Sequence, residues 1–284
     1  MSSSIHRPRL AVRGHPRRLA LVLLGAGAAG LLIALPLGAV FYYALRDGWQ
    51  AYLGHLTAAD TVHALGLSLL AAGVALPVNT AFGLAAAWAI AKFEFPARRF
   101  LISLIELPLS LSPIIIGVAY LFVFGMQGVL GPWLDEHGVH LAFNVASLVI
   151  VTTIVTSPYV FREVLPLMLS QGTQDEQTAI MLGASGWRTF WRVTLPNLKW
   201  AVLYGVSLSF ARSLGEFGSV AVVSGAVRGE TNTMTLQIDL LYHDRVQTAA
   251  FAVASVLSAI AVVTLCLKTG IERLEAAARD ESAS

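Results

Sequence analysis

Six stretches of this chain are long enough to cross a lipid bilayer and carry almost no charge. Residues 19–45, 61–91, 137–161 and 246–267 contain no Asp, Glu, Lys or Arg. Residues 100–134 contain only Glu106, and residues 200–227 only Arg212 and Glu216. A helix needs about 20 apolar residues to cross a hydrocarbon core of about 30 Å. The expected fold is therefore all-α integral membrane, with six transmembrane helices at about 20–45, 64–91, 100–125, 144–165, 200–225 and 247–268. Continuous apolar runs select helices over a barrel, whose spans are short and alternate in polarity. Composition excludes an ordinary soluble domain: 56% of residues are hydrophobic and 13% charged, against about 45–50% and about 25%. The same figures exclude disorder. The single cysteine, Cys266, forms no internal disulfide, and no Cys/His cluster has metal-ligand spacing.

The first run follows five arginines, as a secretory signal would, but it is longer than the 7–15 residues usual for a signal core. It is expected to be an uncleaved first helix behind a cytoplasmic arm, residues 1–19. Lys/Arg placement sets the orientation. With the N-terminus inside, fifteen basic residues fall on cytoplasmic segments and three, Arg46, Arg228 and Arg245, on outer loops. Both termini are then cytoplasmic, with a tail at 269–284.

The inner segment 166–199 is patterned as well as long. Thr173 and Glu176 fit a capping box, which starts a helix. Gly183 stands where a glycine ends one. Ser185 fits the cap of a second short helix over 186–193, and Leu195-Pro196 is expected to stop it, since proline lacks the N–H and disfavours helix before it. Trp187, Phe190 and Trp191 lie among Arg188 and Arg192. Two readings stand: a helix lying at the membrane interface and a knob for docking a protein.

Gln177-Thr178-Ala179, three residues, Gly183, nine residues, then Val193-x-Leu195-Pro196 resembles the EAA loop of ABC importer permeases. The glycine and Leu-Pro are in register. The Glu-Ala-Ala triplet is departed from: Gln177 and Thr178 replace its first two residues, and Glu176 precedes it by one place. Ala211-Arg212-x-x-Gly215-Glu216-Phe217-Gly218 is similar to oxyanion permeases in general. Val222-Val223-Ser224-Gly225, Arg228-Gly229 and Thr231-Asn232-Thr233 narrow the likeness to permease subunits of bacterial sulfate/thiosulfate importers, clearest from about 64 to 268.

The resemblance implies a type I ABC importer permease fold in the bacterial inner membrane, with Glu176, Gln177, Ala179, Gly183, Val193, Leu195 and Pro196 in a coupling loop. It also implies partners: a second, related permease, two ATPase subunits holding ATP and Mg, and a periplasmic sulfate- or thiosulfate-binding protein. The chain has no Gly-x-x-x-x-Gly-Lys-Ser/Thr loop, so nucleotide is expected on the partner and no cofactor on this chain. Beyond these partners only membrane lipid is expected, and no nucleic acid.

Arg212, Ser213 and Glu216 are the candidate substrate-path residues. Charges inside a bilayer are costly and functional by default, and positions four apart share a helix face. The pair is either an internal ion pair or an arginine drawing a dianion beside a gating glutamate. Glu106, next to Leu107-Pro108, is expected at a helix break. Gly25, Gly27, Gly30, Ala85, Ala86 and Ala87 suit close helix packing. A molybdate or tungstate permease, or a secondary transporter, are the alternatives. An enzyme is disfavoured by the lack of His-Glu-x-x-His and Gly-x-Ser-x-Gly.

Overall fold

Prolines and glycines decide where the long apolar runs stay whole and where they break. The computed structural model describes residues 16–225 and 227–283, with side chains for 20–225 and 227–270. Residues 1–15, most of the basic arm, lie outside the described residues, as do the side chains of Arg17, Arg18, Arg273 and Arg279. The described residues are helical, with no strand among them.

The helices are α1 (Pro16–Ala44), α2 (Trp49–Leu56), α3 (Ala59–Lys92), α4 (Arg98–Ser110), α5 (Pro113–Phe124), α6 (Gly131–Glu136) and α7 (Val145–Thr156). They continue as α8 (Pro158–Gln171), α9 (Gln174–Met181), α10 (Gly186–Thr189), a π segment (Phe190–Thr194), α11 (Leu195–Leu214), α12 (Gly218–Val223), α13 (Met234–His243) and α14 (Gln247–Ala283). Four stretches are long and apolar enough to cross a membrane: Ala20–Ala44, Ala59–Lys92, Val145–Gln171 and Gln247–Gly270.

The single helix expected over 100–125 is instead two, α4 and α5, bent by 110°. The residue before a proline is pushed out of the helical region, and Leu111 and Ser112 are extended ahead of Pro113. The helix expected over 200–225 also breaks. α11 ends at Leu214, Gly215 to Phe217 leave the helix, and α12 restarts at Gly218. With Asn197, Lys199 and Arg212 along it, α11 does not meet the apolar length of the other spans. The first core helix begins at Ala59 rather than 64. α14 runs without a break through the expected tail to Ala283.

α3 is the mast of the bundle, at 34 residues about 50 Å long. Ala87 and Ile90 near its C-terminal end pack with Val160, Phe161, Val164 and Leu198 from α8 and α11. Nearer its start, Leu67 joins a second cluster with Tyr120, Val151 and Val223 from α5, α7 and α12. The α3–α8–α11 contact is close because of glycine. A Cβ on Gly83 would stand 2.8 Å from Phe161 N, and one on Gly205 2.9 Å from Val160 Cα. The small residues expected to pack closely in α1 do not: Gly25, Gly27 and Gly30 have nothing within 4 Å, since α1 touches the bundle mainly along α14. Of the alanines, Ala87 is fully buried and Ala85 is exposed.

Candidate functional site

Two places hold the candidate residues: the α9–π segment at one end of the bundle, and the break after α11.

At the first, the end of α9 follows expectation. Gly183 has φ +87°. Its N–H donates to Ile180 O at 2.9 Å, and Ala184 N–H to Ala179 O at 3.0 Å. These are the paired bonds of a helix ending in a left-handed glycine. Ser185 caps α10, accepting from Arg188 N–H at 3.4 Å. The capping box does not form. Thr173 makes no cap bond to the backbone; its Oγ1 accepts from Gln177 Nε2 at 3.2 Å. Glu176 is drawn away by stronger partners. Its Oε2 lies 2.6 Å from Lys92 Nζ, and its Oε1 accepts from Thr194 Oγ1 at 2.7 Å.

Leu195-Pro196 does not stop a helix either. α10, the π segment and α11 follow one another without a gap, and Leu195 N–H reaches back five residues to Phe190 O. The wider turn makes room for the ring of Pro196, which has no N–H to continue the helical bonding. Trp187, Phe190 and Trp191 wall an apolar groove of about 870 Å³ whose far wall includes Leu76, Pro77 and Trp88 of α3. The aromatic side of the loop thus turns toward the flank of a membrane helix. Among the loop residues, Gln177 and Pro196 are exposed, while Ala179, Val193 and Leu195 are half-buried.

Ile180, Met181 and Leu182 went unnoticed in the sequence, yet they stand 57%, 80% and 84% exposed at the tip of the loop. Three successive apolar residues just ahead of a turn glycine, inside a polar loop, were the available signal.

At the second place the i,i+4 pair forms. Arg212 Nη2 lies 2.7 Å from Glu216 Oε2, with side chains 30% and 1% exposed. Glu216 also bridges the helix break. Its Oε1 accepts from Ser219 N–H at 3.0 Å and Ser219 Oγ at 2.7 Å, so it caps α12. Its backbone oxygen accepts from Thr235 Oγ1 at 2.6 Å, which ties the break to α13. Ser213 is buried and faces the bundle, donating to Ser209 O at 2.8 Å and lying 3.5 Å from Thr156 Oγ1. Asn79, fully buried beyond Pro77, donates to the same Thr156 oxygen at 2.8 Å. The arrangement presents one partly exposed cation, Arg212, on a neutralised and hydrogen-bonded base. Glu106 is half-buried near the end of α4 and makes no hydrogen bond or ion pair among the described residues.

Residues 79–279 match the family model described as binding-protein-dependent transport system inner membrane component. The chain is 44% identical over 256 residues to the sulfate transport system permease protein CysW of Escherichia coli strain K12, covering 90% of this chain and 88% of that one. It is 33% identical over 235 residues to the sulfate transport system permease protein CysT of the same organism, covering 83% and 85%. Among solved structures it is similar to a bacterial ABC transporter involved in the import of the acidic polysaccharide alginate. That likeness has a TM-score of 0.68 at 16% identity and covers 91% of this chain and 94% of that one.

Proposed function

The chain belongs to the family of binding-protein-dependent transport system inner membrane components, and from that membership we propose that it is the permease subunit of an ATP-driven importer of sulfate or thiosulfate. Its fold is that of a type I ABC importer permease, in a multi-pass protein of the inner membrane. The observation that carries the substrate reading is the 44% identity, across nearly the whole chain, to a sulfate permease. One organism holds two relatives of this chain, both named as permeases of a sulfate transport system. That favours a second, related permease as the partner, around a shared path with pseudo-two-fold symmetry.

Two ATPase subunits would bind ATP and Mg, and a periplasmic binding protein would deliver the anion. The Lys/Arg asymmetry favours a cytoplasmic side for the termini and the α9–π loop. There the exposed Ile180, Met181 and Leu182 offer the ATPase an apolar contact. Gln177, Ala179, Gly183, Val193, Leu195 and Pro196 shape that contact. ATP can shift the permease between inward- and outward-facing states only through differential affinity for the two, so the loop has to be stiff. Arg212 would draw the anion toward the path, with Glu216 and Ser213 holding the helix break behind it.

The test is labelled-sulfate uptake in cells lacking only this chain. Uptake is expected to vanish on deletion, return on restoration, and resist an equal concentration of molybdate. Unchanged uptake in the deletion strain, or restored uptake that molybdate blocks, defeats the sulfate assignment.

Gly183→Val is expected to uncouple hydrolysis from transport. A Cβ there meets nothing within 4 Å, so the main cost is backbone strain, about 1–2 kcal/mol for a left-handed residue and more for a β-branched one. That is enough to redirect the turn without unfolding the bundle. Import per ATP hydrolysed by the purified complex is the readout, and a wild-type ratio would show that the turn does not transmit motion.

A further inference from the structure

Glu176 lies one residue before the position at which the resemblance sets a glutamate. One residue turns a helical side chain by about 100°. Gln177, at the family's position, is exposed, while the Glu176 side chain is 17% exposed and turned into the bundle. Its two oxygens reach different helices. Oε2 pairs with Lys92 Nζ at 2.6 Å, the last residue of α3. Oε1 accepts from Thr194 Oγ1 at 2.7 Å, the last residue of the π segment ahead of α11. Lys92 Nζ also donates to Gly172 O at 2.9 Å, at the end of α8. One carboxylate and one ammonium thus join α9 to the ends of three bundle helices.

Little else holds α9. None of its eight residues is buried. It is flanked by Gly172 and Gly183, both at positive φ, +72° and +87°, and a Cβ at either would meet nothing within 4 Å. A short helix between two such glycines would swing on its ends if it were tied by chain connectivity alone. Charge-assisted hydrogen bonds are short and directional, and these tie α9 to the bundle. A second tie is weaker: Asn197 Nδ2 donates to Asp175 Oδ2 at 3.3 Å.

We propose that Glu176 is a positioning residue of the transport cycle rather than a contact for the ATPase. Its carboxylate, held by Lys92 and Thr194, delivers displacement of α9 to α3 and α11 together. This rests on the ATP-driven reading above.

The test uses the complete complex, reconstituted in liposomes with its ATPase and binding protein, and follows ATP hydrolysis and labelled-sulfate import together. Glu176→Gln and Lys92→Met are each expected to co-purify with the ATPase at the wild-type ratio and to keep basal hydrolysis, while import per ATP falls about tenfold, within the usual range of coupling between sites. The charge swap Lys92→Glu/Glu176→Lys restores the ion pair but not the donations to Gly172 O and from Thr194 Oγ1, and is expected to recover part of that ratio, which a damaged fold would not. Loss of the ATPase from Glu176→Gln alone, with Lys92→Met unaffected, overturns the proposal, because Glu176 would then face the partner. An assembled swap variant that couples no better than Lys92→Met also overturns it. If the wild-type complex imports sulfate without hydrolysing ATP, the ATP-driven reading fails first and takes the proposal with it.

Discussion

Gly205→Val is expected to lower both the membrane-fraction yield and the melting midpoint of the chain. Gly205 lies in α11 against the first turn of α8, and a Cβ there would stand 2.9 Å from Val160 Cα and 3.5 Å from Glu163 Cβ. The nearest obstacle is backbone, which cannot rotate away as a side-chain tip would. From the other side Gly83 of α3 presses on the same turn, with its own Cβ position 2.8 Å from Phe161 N. α8 is gripped between two helices, and neither has room to retreat without opening the cluster around Phe161, Val164 and Leu198. Overpacking a core costs about 1–3 kcal/mol and occasionally more, out of a total stability of roughly 5–15 kcal/mol. A β-branched side chain at a backbone-to-backbone contact belongs at the upper end of that cost. Membrane-fraction yield and the melting midpoint in detergent measure it, with Gly205→Ala expected to fall between wild type and valine. Gly25→Val in α1, where nothing lies within 4 Å, is the control and should accumulate normally. If Gly205→Val melts with the wild type, α8 and α11 do not approach as closely as described.

The spans were legible because a charge-free run of more than 20 residues leaves few alternatives to a membrane helix. Their breaks were legible only in part. Pro108 marked a break, but α4 runs through it to Ser110, and the 110° turn falls at Leu111 and Ser112, where α5 packs against α12, a contact that no local pattern encodes. Gly215 and Gly218 were visible, yet the run reads as one helix until Glu216 is seen to cap α12. In the loop, Gly183 could be read because a turn glycine acts on its own neighbours. Thr173 could not, because Glu176 found Lys92, 84 positions away in sequence, and Thr194 on another helix. The Arg212–Glu216 pair was predictable from its i,i+4 spacing. The Asn79–Thr156 bond, 77 positions apart, was not.

Arg212 and Glu216 are expected to separate by role when they are changed together. Arg212→Gln alone is a poor probe. It strands a carboxylate whose side chain is 1% exposed, and breaking a buried pair from one side costs about 3–5 kcal/mol. Any loss of uptake would then be mixed with loss of protein. Arg212→Gln/Glu216→Gln removes both charges, and such neutral replacements of buried pairs are often tolerated. The amide oxygen at 216 still accepts from Ser219 N–H and Oγ, so the cap on α12 survives. This double variant should accumulate near the wild-type level and assemble with its partners. Its sulfate import should nevertheless fall. Arg212 keeps 30% of its side chain exposed, and a dianion several ångströms from that charge gains several kcal/mol at an effective dielectric near 20, an attraction that the buried Glu216 carboxylate behind it reduces. Losing about 2 kcal/mol of that attraction slows entry roughly 30-fold. Glu216→Gln alone leaves the arginine charge in place but, with its oxygen on Ser219, turns the amide N–H2 toward the guanidinium, so it should accumulate less than the double variant yet import more per assembled complex. If the double variant assembles and imports normally, the pair serves only to close the helix break, and the anion passes this chain without its help.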